Sequence, residues 1–362
     1  MDRALIDFVG KNGISQGALA AYGATVGRLD ANELRPYLDV RTGKSYITVH
    51  TGGDPKNPKN YAAVPIQTNA TLRRDEWKLL DEAVLRISES RLGGIQDLIS
   101  KNLVYNIGSG MGSTVLEWHD LSDAMEADLT MDGVTRSAGD RPAYQTNYLP
   151  LPIIHSDYEI NARVLAASRN KGEPLDTTAA ERAARKVNER LESMLFTDTT
   201  YTFGGGAIYS YLNEPNINAV AIPLAWDNAA KTGALILTDV LNMKQASIDA
   251  LHYGPWRLYV PTAYETVLDG DYDVTTPGTT IRERILKISG IENVSVIDTL
   301  PANTVVLVQM TTDVVRLVRG MGIQNVEWQT EGKMITKYKV MTIQVPQVRS
   351  DQEGHSGVVV LS

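Results

Sequence analysis

The chain has 362 residues, 43% of them hydrophobic and 22% charged, with a formal net charge of −8 and no cysteine. The missing cysteine excludes disulfides, cysteine-ligated zinc, iron–sulfur clusters and thiol nucleophiles. The negative balance leaves no overall positive field to hold nucleic acid by counterion release, and the length suits about two domains. The opening MDRALIDFVGKNG has too short an apolar stretch for a secretory leader. No run reaches the ~18 apolar residues of a membrane span, so the protein is expected to be made and kept in a cytoplasm.

Residues 1–70 carry little regular pattern. Gly10, Gly13, Gly17, Gly23 and Gly27 punctuate the first part, residues 52–60 read as a loop, and only SYITVH (45–50) reads as a strand. With so little core, this segment is expected to be an arm lying on another surface. From Leu72 a helix follows, with Trp77, Leu80, Val84 and Ile87 on one face and Gly93-Gly94 at its end. A shorter helix over about 95–107 and the breaker GSGMGS (108–113) complete this part.

Residues 114–148 are long, polar and hairpin-like. TVLEWHDL reads as a strand, an acidic stretch with Asp120, Asp123, Glu126, Asp128 and Asp132 follows, and YLPLPII is extended again. Loops beyond ~12–15 residues are usually functional or bound to something. Two strands that leave the body with little to pack on point to another subunit as their partner. Trp118, Asp120, Asp123, Glu126, Asp128, Arg136 and Arg141 are the expected inter-subunit contacts, the acids docking on a neighbour's basic side chains.

The stretch 149–196 ends in one long helix from Thr178 to Phe196, about 28 Å at 1.5 Å per residue. Thr178 and Glu181 have the spacing of a capping box, and Asp176 adds negative charge at the helix's positive end. Ala180, Ala184, Val187, Leu191, Met194 and Leu195 make an apolar stripe. Arg182, Arg185, Lys186, Glu189, Arg190 and Glu192 are assigned to the polar face. Further helices are expected over about 238–251 and 279–289. WRLYVP, VSVI, NTVVLVQM and DVVRLV read as strands covered on both faces. In KMITKYKVMTIQV (333–345) the apolar positions change parity, which predicts a bulge or a change of packing partner near Val340 and Met341.

The chemical motifs are weak. Gly13-Ile14-Ser15-Gln16-Gly17 has the nucleophile-elbow pattern but no core strand before it, so a flexible arm is the better reading. GSGMGS lacks the lysine of a phosphate loop and is expected to follow a helix where a dinucleotide fingerprint needs a strand. Asp269, Asp271 and Asp273 alternate like a calcium loop, but Val274 and Thr280 stand where Gly and Glu belong. The five histidines are scattered, and Trp77, Trp118, Trp226, Trp256 and Trp328 read as packing anchors. No catalytic, cofactor or metal residue is assigned, and the chain is not expected to be an enzyme.

Two stretches, LPLPIIHSDYEINARVLAASRN into LDTTAAERAARKVNERLESMLF and the run from Asn303 to Gly357, resemble the Hong Kong 97-type major capsid proteins of tailed bacteriophages, near the branch related to encapsulin (linocin-like) shells. The resemblance implies an α+β fold with an N-terminal arm (1–70) and a peripheral domain (71–113 and 156–204) carrying a spine helix at 178–196. It further implies an extended loop (114–155), an axial domain (205–310), and return strands of the peripheral domain with the C-terminus (311–362). It also implies pentamers and hexamers of this chain in an icosahedral shell around double-stranded phage DNA, with the DNA a partner by proximity only and the membrane not involved. Scaffolding, portal and decoration proteins are further partners it allows. The location implied is the virion capsid, assembled in the host bacterial cytoplasm. The alternative is an encapsulin-type compartment around a cargo enzyme. The founding phage cross-links its shell through a lysine of the extended loop. Residues 119–147 contain no lysine, so that chemistry is not carried over.

Overall fold

The structure is a computed structural model. It describes residues 36–50, 61–66, 72–91, 93–108, 110–121, 129, 131, 144–171, 176–198, 200–273, 278–331, 335–351 and 353–362. The 13–17 motif, most of the expected arm, and Asp123, Glu126, Asp128, Arg136 and Arg141 lie outside these residues.

β1 (Tyr37–Leu38), β2 (Ser45–His50) and β3 (Tyr61–Ile66) form a small antiparallel sheet. It is tied to the body where Trp77 Nε1 donates to the Pro36 carbonyl at 3.0 Å and Leu38 N to the Leu72 carbonyl at 3.0 Å. Helix α1 (Arg74–Arg91) buries Trp77, Leu80, Ala83 and Val84. Gly93 and Gly94 then open a second helix, α2 (Gly93–Ser100), instead of only closing the first. The helix expected to 107 stops at Ser100, because Asn102 turns into the left-handed region (φ 58°) and Val104–Asn106 becomes strand β4. An apolar run that short does not distinguish helix from strand by periodicity; parallel pairing with a later strand decides it.

Next come the ribbon strands β5 (Val115–Leu121) and β6 (Tyr144–Pro150), then β7 (Ile154–Asn161), α3 (Ala162–Lys171) and the long α4 (Thr178–Phe196). The apolar stripe of α4 is buried as its spacing dictates, but Glu192, assigned to the polar face, is also buried. The Thr178 capping box does not form. Thr177 is the N-cap, and Asp176 Oδ1 accepts the Thr178 N–H at 3.0 Å; the Thr178 hydroxyl first, and then this N–H, hold that carboxyl below its ordinary range. A complete box occurs instead at Thr280 and Glu283, where the two reciprocal bonds are 3.2 and 3.4 Å.

The remaining elements are the hairpin β8 (Tyr201–Phe203) and β9 (Gly206–Ile208), β10 (Asn218–Val220), α5 (Gly233–Asp249), β11 (Trp256–Pro261) and α6 (Glu265–Leu268). They are followed by α7 (Ile281–Leu286), β12 (Ile291–Ile297), β13 (Val305–Gln309), β14 (Val315–Glu331), β15 (Ile335–Val348) and β16 (Val358–Leu361). Helix α5 starts five residues before its expected position, capped by Thr232. Helix α7 is shorter at both ends than 279–289.

Two larger sheets organise the body. One has the order β4-β14-β15-β7, and the other β10-β16-β13-β11-β12. In the five-stranded sheet, Tyr259, Val306, Val308, Val358 and Val360 face a core shared with α1, α2 and α4. Leu258, Val260, Val305, Leu307, Val359 and Leu361 face a second core with α5 and α7. Alternation along the strands thus covers both faces of one sheet. It also explains why β16 crosses away from β14 and β15, with which the resemblance groups it: VVVL is apolar on both faces and sits between β10 and β13.

In β15 burial alternates up to Lys339 and is continuous from Val340 to Val348. The predicted change of packing partner is there, and pairing with β7 ends at Thr342. The bulges themselves lie on the facing strand, between Arg319 and Met321, between Met321 and Gln324, and between Glu327 and Gln329.

Candidate assembly surface

The β5–β6 ribbon is a two-stranded sheet, registered from Val115↔Pro150 at its root to Leu121↔Tyr144 at its outer end. Leu149 and Pro150 are buried, whereas Tyr144, Gln145 and Thr146 are exposed, so cover is lost along the strand. The root is seated on the β8–β9 hairpin. A Cβ on Gly206 would lie 2.8 Å from Tyr148 Cβ and closer still to the Tyr148 carbonyl, so only glycine lets the two backbones meet. Beyond the ribbon strands, Leu129 and Met131 are fully exposed, at 103% and 107%.

Of the expected contact residues, the structure places Trp118 and Asp120. Trp118 lies midway along the ribbon, opposite Asn147, and Asp120 near its outer end, opposite Gln145; Asp120 is engaged by its own subunit. Asp120 accepts from Asn147 across the ribbon and from Arg349 Nη2 at 3.0 Å. Trp118 and Asp120 line a cleft of about 440 Å³ with Tyr209, Glu214, Gln347 and Arg349. Burial raises the Glu214 carboxyl above its usual range, although Ser350 and the Asn216 N–H both bond to it. Next to the cleft, Arg316 Nε donates to Gln347 Oε1 at 2.6 Å, and the Arg316 guanidinium lies over the Tyr105 ring at 4.6 Å. Nothing in the sequence joined Asp120 to Arg349, which are 229 residues apart.

The glycine run is a packing device. Strand β4 does precede it, contrary to the helix expected there, but the chain continues through turns into β5 with no helix to receive a phosphate. A Cβ on Gly110 would lie 2.7 Å from Gly320 Cα, so the run lets two backbones touch. Asp269 is paired with Arg282 at 2.9 Å, and the Asp271 backbone forms an isolated antiparallel β-bridge with Thr280. Among the described residues, no group of three or more His, Asp or Glu has metal-holding geometry, and no helix is long and apolar enough to cross a membrane.

A second polar cluster escaped the sequence reading. Asp97 of α2 is ion-paired with Arg257 and accepts from the Tyr259 hydroxyl at 3.1 Å, both residues lying on β11. Glu192 of α4 lies beside Asp97 and Asp298. The buried Tyr211 hydroxyl feels both Asp97 and Glu192 and is pushed upward by burial first and then by those charges. The cluster sits where the helices meet the five-stranded sheet.

The family described as a family of unknown function (DUF6260) matches residues 66–361. No curated protein matches the chain. Among solved structures, the virus-like particle from Pyrococcus furiosus is similar at a TM-score of 0.57 and 19% identity, over 79% of this chain and 99% of its own. The capsid of Myoviridae phage XM1 is similar at 0.56 and 9% identity, over 75% and 91%. The capsid of an empty GTA particle is similar at 0.51 and 12% identity, over 73% and 89%.

Proposed function

We infer that this chain, which belongs to the DUF6260 family and has the Hong Kong 97 fold, is a major capsid protein that builds an icosahedral shell around double-stranded phage DNA. The observation that carries this reading is the ribbon. It leaves a well-packed body, and Leu129 and Met131 beyond it are fully exposed. Extended elements that bury surface only between chains are what a self-assembling tile requires. The likeness to a virus-like particle subunit over 99% of that chain supports the same reading.

On this reading the residues before 71 act as the arm, and 71–113 with 156–204 as the peripheral domain with α4 as its spine. Residues 114–155 are the extended loop, 205–310 the axial domain, and 311–362 the return strands, of which β16 is lent to the axial sheet. Pentamers and hexamers are the building units. Scaffolding, portal and decoration proteins are further partners. The net charge of −8 suits a lining that holds DNA by enclosure and not by grip. The role is structural and requires no catalytic residue, and assembly would take place in the host bacterial cytoplasm.

The second reading is an encapsulin-type compartment, a shell of the same fold. The contents separate the two. Electron microscopy of the recombinant protein, with the absorbance ratio at 260 and 280 nm, is expected to show closed particles or capsomer rings. Nucleic acid inside them marks a virus, and a co-purifying enzyme marks a compartment. A monomer at every salt and protein concentration, with scaffolding protein added as well, would remove the shell reading.

A further inference from the structure

Beside the ribbon, several buried side-chain donors lack an acceptor among the described residues. Arg316 on β14 and Gln347 on β15 are register partners, and Arg349 follows two residues later. The carboxylate that acts on Arg316 is Asp120, and Asp120 is already bonded to Arg349, while Glu214 and Asp351 line the adjoining cleft. Burial, and then the Arg349 charge, pull Arg316 below its ordinary value, as expected of a cation short of a counter-ion. Trp118 Nε1, Arg349 Nε and Gln347 Nε2 are buried donors with no acceptor among the described residues, and Gln347 is only 1% exposed. Tyr105 lies exposed beneath the Arg316 guanidinium. Tyr, Trp and Arg are the residue types that dominate binding energy at protein interfaces.

The complementary chemistry is in the same chain. Asp123, Glu126, Asp128 and Asp132 fall within ten residues, with no lysine or arginine among them. Leu129 and Met131, inside that block, stand clear of their own subunit. Asp120 is already engaged by Arg349 of its own subunit.

We propose that Arg316 and Arg349, flanked by Tyr105 and Trp118, are the seat that receives the acidic segment 123–132 from the ribbon of a second copy of this chain. The proposal rests on the shell reading and names the surface that takes the ribbon. Tip and seat are different patches, so the contact is heterologous. Repeated around a ring, it lets every copy give one tip and fill one seat. A contact built on exposed charges weakens with ionic strength.

The test uses the full chain, with particles counted by electron microscopy and sedimentation and folding followed by thermal melting. Arg316→Glu alone, and Asp123→Lys with Glu126→Lys and Asp128→Lys, are each expected to lower particle yield at least about tenfold, a loss of the size that interface charge repulsion produces. The two sets combined in one chain are expected to restore particles, because reversed tip meets reversed seat. Wild-type yield from Arg316→Glu at low and high salt overturns the seat and leaves the shell reading standing. Particles that persist but lose nucleic acid also overturn it, by assigning the arginines to phosphate. A wild type that never assembles removes both readings. Should Arg316→Glu misfold, Tyr105→Cys with Glu126→Cys in this cysteine-free chain gives a second readout. Oxidised particles are expected to yield a covalent ladder, and a single monomer band overturns the proposal.

Discussion

Glu192 Oε1 accepts the backbone N–H of Gly94 at 2.9 Å, so the long helix α4 caps the first turn of α2 across 98 residues of sequence. An anion at a helix N-terminus is favourable, but this one is 7% exposed and its Oε2 has no partner among the described residues. Burial first, and then Asp97 and Asp298, raise its carboxyl to about 7 in spite of the N–H bonds from Gly94 and Ile95. The same helix α2 is held to β11 through Asp97, Arg257 and Tyr259. A helix of eight residues thus joins the helical layer to the five-stranded sheet.

The first prediction is a pH slope. The folded value of Glu192 lies above its ordinary 4.5, so the folded chain binds the extra proton between about 4.5 and about 7. Stability from this group is greatest in acid and falls as pH rises through that window. Glu192→Gln keeps the acceptor for Gly94 and removes the charge. It should match the wild type near pH 5 and exceed it near pH 8 by up to about 3 kcal/mol. Urea unfolding at both pH values measures this, and the idea fails if the difference between the two proteins is the same at each.

Gly94 sits under the Phe196 ring, where a Cβ would come within 2.8 Å of Cζ and closer to Cε2. Gly94→Ala is therefore expected to cost about 1–3 kcal/mol by overpacking. Gly108→Ala, with nothing within 4 Å of its Cβ position, should stay within about 0.5 kcal/mol. Equal melting of the two variants would refute the close approach.

In the second core, Lys231 and Asp239 form an ion pair of 2.6 Å with side chains only 3% and 7% exposed, and Trp226 Nε1 donates to the same oxygen at 2.8 Å. Asp239→Asn leaves a buried lysine unpaired and should cost about 3–5 kcal/mol. Lys231→Met added to it should recover most of that loss, since it removes the unpaired buried charge while the new amide oxygen can still accept from Trp226 Nε1. Chemical denaturation of the single and double variants decides, and no recovery in the double variant argues against the ion pair.

The ribbon's seat on the hairpin gives a prediction that separates folding from assembly. Gly206→Ala must push Tyr148 away, tilting the ribbon root while the large sheets stay intact. Its melting temperature should remain near that of the wild type while particle yield collapses. Normal particles from this variant would show that the ribbon's direction does not matter.

What could be read from the sequence was local. The α4 stripe, the α1 face and the apolar strands β13 and β16 follow from side-chain periods of 3.6 and 2, which depend only on neighbours along the chain. The weakness of every catalytic motif was equally visible, because each needs specific residues at short spacing. Three things were decided only in three dimensions. Glu192 looked solvent-facing by its phase, and is buried because Gly93 and Gly94 let another helix end close over it. Asp120 looked free to reach a neighbour, and is held by Arg349 from the far end of the chain. The last strand crossed to a sheet that the strands before it do not share. Periodicity determines which side of an element is apolar; which surface comes to cover it depends on contacts between distant segments, and single-chain patterns do not encode those.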